Sequence, residues 1–577
     1  MGGRDARRSR SEPAPRFPQA NITAVGAIAE ILRTTLGPTP QDTLVLSQLE
    51  TRSGDADRGI PGTDEYVVAS DGATILEELP LEHPIAPVLL RVVGPERPGD
   101  TDVEGERVPD GITTTVVLGA ALLDEAATLL EKGLHPTTVS MGYETALGVV
   151  ADVLDDATRS LSAFPDSTAA ASAVARTAMT GNDVGAFADD WAPLAVDAVE
   201  TVGTPDETTF AVRRFSNGRI DESRLVRGAV LDRYSRAHPE MEREKRDATV
   251  LALGGQDNRG LQIREPESMA GVRVDSVATE AALGDAEHAR RREVVDHLVE
   301  LGVDVVVTRS GIDRHYLRLL VDAGVLGVRG VTSLDFSHVC RGTGATAIIK
   351  LDDATAADLG HAGVVEEQRI GRRKHRRKRR RILVFDECDA PETVTAVLTG
   401  VSGQPGDQMA RQVRKAAAAV AAARGFGRRR PGVVPGGGTT ELRIARALRT
   451  TARSTDTREQ LAIEAYADAV DRIVTTLARN GGRDPVTTLA DLRAAHETDS
   501  ERAGLVLPDG TIEDTVDAGV LDPVAYRREQ YVCATEVSQL LLTIDDAIDA
   551  ERGEEGASPG EALYDTPGSR RTDSTDG

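Results

Sequence analysis

Two short stretches carry the residue types that phosphate chemistry needs. Ser70-Asp71-Gly72-Ala73-Thr74-Ile75-Leu76 and Asp110-Gly111-Ile112-Thr113-Thr114-Thr115 each set a carboxylate, a glycine and a threonine hydroxyl ahead of an apolar helical pattern. Glycine lets backbone amides approach a ligand closely, and a helix N-terminus favours an anion. The carboxylates are then left to hold a metal ion and a water molecule. Either Asp-Gly step alone reads as an ordinary turn; together they imply a phosphate cradle. No Gly-x4-Gly-Lys-Ser/Thr sequence is present, which argues against an ordinary P-loop enzyme. Neither a metal-ligand His/Cys cluster nor a Gly-x-Ser-x-Gly elbow occurs.

These stretches need elements to hold them. Thr115-Val116-Val117-Leu118-Gly119-Ala120-Ala121-Leu122-Leu123 reads as a helix with a nearly continuous apolar face, and helical windows follow at Thr138–Leu161, Ser167–Met179 and Trp191–Val202. From about residue 218 the texture changes to an alternation of strand and helix. Thr249–Leu253 and Val303–Thr308 read as strands, and Ala286–Leu301 and Tyr316–Ala323 as helices, the signature of an α/β unit. After Gly400 the pattern is helical again over Met409–Arg424, Thr440–Thr451, Arg458–Thr476, Pro485–Ala494 and Ala534–Ala550.

At 577 residues the chain is too long for one core, and its 3 % aromatic content leaves packing to Ala, Val and Leu. The formal charge is −25, with six lysines and Arg supplying nearly every other cation. Such an acidic, Arg-over-Lys balance keeps a protein soluble by self-repulsion and looks haloarchaeal. It argues against bulk nucleic-acid binding. Cys340, Cys388 and Cys533 are widely spaced and read as free thiols of a cytoplasmic protein. The Arg- and Pro-rich start lacks the apolar segment of a signal peptide, and no run of about 18 apolar residues suggests a membrane span. His135, His238 and His315 read as structural, and Trp191 as a core residue.

Seven separated motifs in order resemble the group II chaperonins, the thermosome type of the TCP-1/cpn60 family. Asn21–Pro38 resembles the family's first equatorial helix and its Leu-Gly-Pro loop. Glu82-His83-Pro84 and Leu134-His135-Pro136 match paired family positions, and His238-Pro239-Glu240-Met241 resembles an apical His-Pro-Gly-Met step. Gly436-Gly437-Gly438-Thr439-Thr440-Glu441 resembles the Gly-Gly-Gly-Ala-x-Glu turn, and Gly519–Pro523 and Ile544-Asp545-Asp546 complete the series. The resemblance implies a multidomain α+β and α/β subunit with a mostly helical equatorial domain, a small intermediate domain and an α/β apical domain with a lid protrusion. On that reading residues 1–19 are a disordered tail and 20–151 and 404–550 are equatorial. Residues 152–217 and 369–403 are intermediate, 218–368 apical with the protrusion near 254–282, and 551–577 a second tail.

The same resemblance implies ATP with Mg2+, and K+ as a further ion, in a cytoplasmic homo- or hetero-oligomeric double ring that folds unfolded protein clients. Leu36, Gly37 and Pro38 would lay backbone against the phosphates, with Gly111, Thr113 and Thr114 around the β/γ-phosphates. Asp110 would hold Mg2+, and Asp71 would polarise the attacking water with Gly72 and Thr74 beside it. Gly437 and Gly438 would pass under the ribose, and Asp522 would reach the sugar or base. Departures accompany these matches: Pro109 and Ile112 stand where the family has Gly and Thr, both lysines of the Gly-Pro-Lys loop are absent, and Pro95–Arg107 lengthens the loop before Asp110. The family's second water-directing aspartate falls on Lys415, and no Asp or Glu occurs from Gln408 to Thr440. An ammonium ion donates hydrogen bonds and cannot accept one from water. Slow or absent hydrolysis, and with it a structural or regulatory subunit, is the alternative that this raises. Lys415 would either pair with a phosphate oxygen or point to solvent.

One further run, Arg372-Arg373-Lys374-His375-Arg376-Arg377-Lys378-Arg379-Arg380-Arg381, stands out from an acidic chain. It reads either as a hairpin contact for a polyanion, RNA or an acidic subunit, or as a solvated loop neutralised by the protein's own acidic surface. No aromatic residue interrupts it, so base stacking is unsupported.

Overall fold

In a computed structural model the described residues are 17–47, 65–69, 71–79, 89, 111–180, 187–254, 277–349, 354–370, 380–427, 429–498 and 501–544. Three large apolar cores organise them. The first joins the two ends of the chain. Helices Phe17–Leu32, Ile112–Glu131 and Pro136–Ala157 pack against Thr439–Arg453, Glu459–Asn480 and Val524–Thr543. Close approach decides one crossing, where a Cβ on Gly142 would stand 2.5 Å from that of Ala462. The Ile112–Glu131 helix is long and apolar enough to cross a bilayer, but most of it is buried in this core.

The second core is built largely from alanine. Helices Ser167–Met179 and Ala188–Val202 pack on Gly403–Arg424 through small side chains, beside a three-stranded sheet of Phe210–Phe215, Val394–Thr399 and Arg224–Val226. Local chemistry sets the ends: Asp166 accepts from the amides of Thr168 and Ala169, and Gly425, left-handed at φ 85°, stops the third helix.

The third core surrounds a seven-stranded sheet ordered Ala229–Leu231, Arg380–Asp386, Gly360–Ile370, Glu244–Leu253, Val305–Thr308, Leu326–Arg329, Ser235–Arg236. Its parallel centre alternates with helices Val277–Glu300 and Arg314–Asp322, as the strand–helix alternation predicts. The sheet runs past the expected 368/369 boundary to Asp386, because Ile370 pairs with Arg380 and the two long strands form one antiparallel hairpin. The basic run is the connection between them. Arg380 and Arg381 open the second strand, and residues 372–379 lie outside the described residues.

Most of the expected protrusion is also outside them, apart from Gly254 and residues 277–282. Two elements start earlier than the sequence pattern predicts. The first helix begins at Phe17, inside the stretch read as a tail, and the last spans Val524–Thr543 where Ala534–Ala550 was expected. The three histidines make local hydrogen bonds: ring nitrogens of His135 and His238 accept backbone amides, and His315 sits on Asp313. Trp191 is fully buried. The three thiols are free; only Cys388 is fully buried, where desolvation pushes its thiol up to about 12.

Candidate nucleotide-binding site

The separated motifs converge on one cavity of about 410 Å³ between the first and second cores. Leu36, Gly37, Pro38, Asp71, Gly72, Gly111, Thr113, Thr114, Lys415, Gly437, Gly438 and Asp522 all line it. Two long helices present their N-termini there. The Ile112–Glu131 helix starts from Gly111 at φ 94°, and Thr439–Arg453 starts from Gly438 at φ 84°; neither start is capped by a side chain. Uncapped amides at a positive dipole end favour an anion. The left-handed φ of 94° favours glycine at Gly111, and a Cβ there would also displace the Gln530 amide, whose nitrogen would stand 1.9 Å away. Nearby, the Thr35 and Thr113 hydroxyls pair at 2.9 Å. A Cβ on Gly72 would fall 2.1 Å from Thr113 Oγ1, which keeps this corner open to a ligand's oxygens. Ile112 contributes hydrocarbon to the first core where a hydroxyl would have faced the ligand. At the other end Ile473, Leu477, Leu505, Val506 and Leu507 form an apolar wall.

Asp71 and Lys415 meet across 344 residues of chain, with Lys415 Nζ 2.5 Å from Asp71 Oδ1. The other carboxylate oxygen accepts from the Thr74 amide at 3.2 Å and the Thr74 hydroxyl at 3.0 Å. Burial by itself would raise the Asp71 pKa. The Lys415 ammonium and the Thr74 hydrogen bonds outweigh it and hold the carboxyl below its usual range. Lys415 therefore neither points to solvent nor stands apart; it neutralises the carboxylate expected to act on water. Thr74 does not line the cavity, because its hydroxyl is committed to Asp71.

Asp522 lines the cavity but is also paired. Arg527 reaches Asp522 Oδ2 at 2.6 Å and Glu441 Oε1 at 3.0 Å, and donates to Gln530 Oε1 at 3.3 Å. Burial would lower the Arg527 pKa, but the two carboxylates raise it well above its ordinary value. Every described carboxylate on the cavity, Asp71, Glu441 and Asp522, thus faces a cation. None of the three is placed as a metal ligand. Asp110, the residue expected to hold Mg2+, lies outside the described residues.

Arg176, Gln412, Glu441, Arg527 and Gln530 also line the cavity and were not singled out from sequence as ligand contacts. Their available signal is spacing. Gln412 and Lys415, like Arg527 and Gln530, are three apart and interrupt otherwise buried helix faces.

Comparison with known proteins agrees with this architecture. The TCP-1/cpn60 chaperonin family matches residues 28–552. A thermosome subunit of Methanopyrus kandleri is 34 % identical over 555 residues, covering 95 % of this chain and 92 % of the relative. Thermosome subunit alpha of Halobacterium salinarum is 35 % identical over 95 % of this chain and 90 % of its own length. Thermosome subunit 1 of Haloferax volcanii is 34 % identical over 95 % and 91 %. The chain belongs to the TCP-1/cpn60 chaperonin family.

Proposed function

We propose that this chaperonin subunit holds ATP in the cavity and turns it over slowly, biasing a ring that encloses unfolded protein clients. The observation that carries the slow turnover is the 2.5 Å contact between Lys415 Nζ and Asp71 Oδ1. Phosphates fit the Gly111 and Gly438 helix starts and the Thr35–Thr113 corner, and a base fits the apolar wall of Ile473, Leu477 and Leu505. Mg2+, held by Asp110 and the phosphates, would supply charge neutralisation. Asp71 is then the group that should accept from the attacking water, and in its present pairing Oδ1 accepts from the Lys415 ammonium and Oδ2 from Thr74, which weakens it as an acceptor for water. Losing such an acceptor costs on the order of two to three powers of ten in rate.

The three cores support an equatorial, intermediate and apical assignment, with the seven-stranded sheet as the client-binding unit. The Lys415–Asp71 pair favours a subunit whose place in the ring matters more than its own turnover. Equilibrium ATP binding and single-turnover hydrolysis on the full chain and on Lys415→Asp test this. Tight binding, slow hydrolysis and a rise of about tenfold or more in the variant support it. Brisk hydrolysis in the unmodified chain, or no ATP binding, overturns it.

A further inference from the structure

A second acceptor stands one helical turn from the neutralised pair. Gln412 precedes Lys415 by three residues on the Gly403–Arg424 helix, so both side chains leave the same face, and both line the cavity. Gln412 is 8 % exposed, and its helix neighbours Val413, Ala416 and Ala417 are fully buried. Its amide forms no hydrogen bond to another described residue. A polar group this buried needs partners, and the cavity that it lines can supply them. Gln530, the other buried glutamine of the lining, differs in accepting from Arg527.

We propose that Gln412 is the catalytic residue that orients the attacking water in this chain, in place of a carboxylate. This rests on the nucleotide reading above. An amide can do both jobs at once: its oxygen accepts from water while its NH2 donates to a γ-phosphate oxygen. A glutamine orients the water of some nucleotide hydrolases in this way. Lys415 can only donate, and Asp71 is turned towards it. The step balances without a protein base. The water oxygen forms a bond to Pγ, the bond from Pγ to the β–γ bridging oxygen breaks, and ADP leaves with that electron pair. The water proton passes to a γ-phosphate oxygen, giving inorganic phosphate. Such a site is slow, because an amide cannot take the proton as a carboxylate would.

The test uses the full chain, its Gln412→Ala and Gln412→Glu variants, and Gln412→Ala combined with Lys415→Asp. Equilibrium binding of ATP is the folding control and single-turnover hydrolysis is the readout. Gln412→Ala should bind ATP within about threefold of the parent and hydrolyse it about tenfold or more slower. Gln412→Glu should recover the rate with a new dependence on pH, as the carboxylate forms. In the Lys415→Asp background, where a carboxylate is available, Gln412→Ala should cost less than about threefold. Equal losses in both backgrounds, or an unchanged rate in Gln412→Ala, would overturn the role. So would the absence of hydrolysis in a parent chain that binds ATP. Failure of every form to bind ATP overturns the nucleotide reading itself, and this inference with it.

Discussion

Replacing Lys415 by Met leaves Asp71 buried without its cation, and the pH dependence of stability should reveal it. In the parent the pair is only 17 % and 15 % exposed, so it lies between a surface pair and a sealed one. Surface pairs contribute about 0–1 kcal/mol, whereas breaking a fully buried pair costs about 3–5 kcal/mol. The cavity admits water to the freed carboxylate, so we expect a loss of about 1–3 kcal/mol near neutral pH. For a folding unit of about 150–250 residues each kcal/mol moves the transition by about 2–4 °C, giving a fall of about 2–12 °C. The sign follows from the direction of the shift. Asp71 is held below its ordinary value of 3.8 in the parent, so its contribution is present above that pH and is lost as pH falls through the folded value. In Lys415→Met only the Thr74 hydrogen bonds still oppose burial, so the carboxyl rises relative to the parent, and the variant loses stability at neutral pH and recovers it on acidification. Thermal denaturation of both chains from about pH 7 down to about pH 4 should show a gap that narrows. A gap that stays constant with pH, or no gap at all, would refute the claim that Lys415 neutralises Asp71.

Other perturbations test the remaining walls of the cavity. Arg527→Met strands Glu441 and Asp522, and should cost about 3–5 kcal/mol in denaturation experiments, with Arg527→Lys intermediate; a loss below about 1 kcal/mol would mean the carboxylates find other partners. Gly111→Ala demands a left-handed backbone and drives a methyl into Gln530. It should lower stability by about 1–3 kcal/mol and weaken ATP binding about tenfold or more, measured by calorimetry.

The cavity was legible in sequence to the extent that backbone chemistry marks it. Gly37, Gly72, Gly111, Gly437 and Gly438 are spaced by turn and helix-start rules that survive divergence, and all of them reach the cavity. What Lys415 touches could not be read, since its partner lies 344 residues away. Thr74 stands beside Asp71 as expected but does not reach the cavity, because Asp71 caps a short helix and accepts from both the Thr74 amide and its hydroxyl. The last helix was placed ten residues late for a related reason. Its first turns carry Arg527 and Gln530 on the inward face, so the apolar periodicity that marks a helix is missing where function needs polar groups. The reach of the large sheet to Asp386 was not marked in the sequence, because the Arg-rich run interrupts the apolar pattern between two strands that pair with each other.

The alanine-built second core carries a mechanical consequence. Ala416, Ala417 and Ala419 share a core with Ala171, Ala173, Ala192 and Ala195, so much of the contact is between methyl groups. Methyl ridges are shallow and have no rotamers to rearrange, and translation of one helix along another is therefore cheap compared with an interlocked leucine seam. The Gly403–Arg424 helix that rides on this contact carries Gln412 and Lys415 on its cavity face. On the same helix Arg414 feels the charges of Glu207, which favours it, and of Arg213, which opposes it, and His338 and Asp335 of the Ser333–Thr343 helix pair with Glu207 and Arg213 respectively. A displacement of the order of one methyl diameter in that rod would be felt at both ends, as a bearing transmits a stroke without itself deforming.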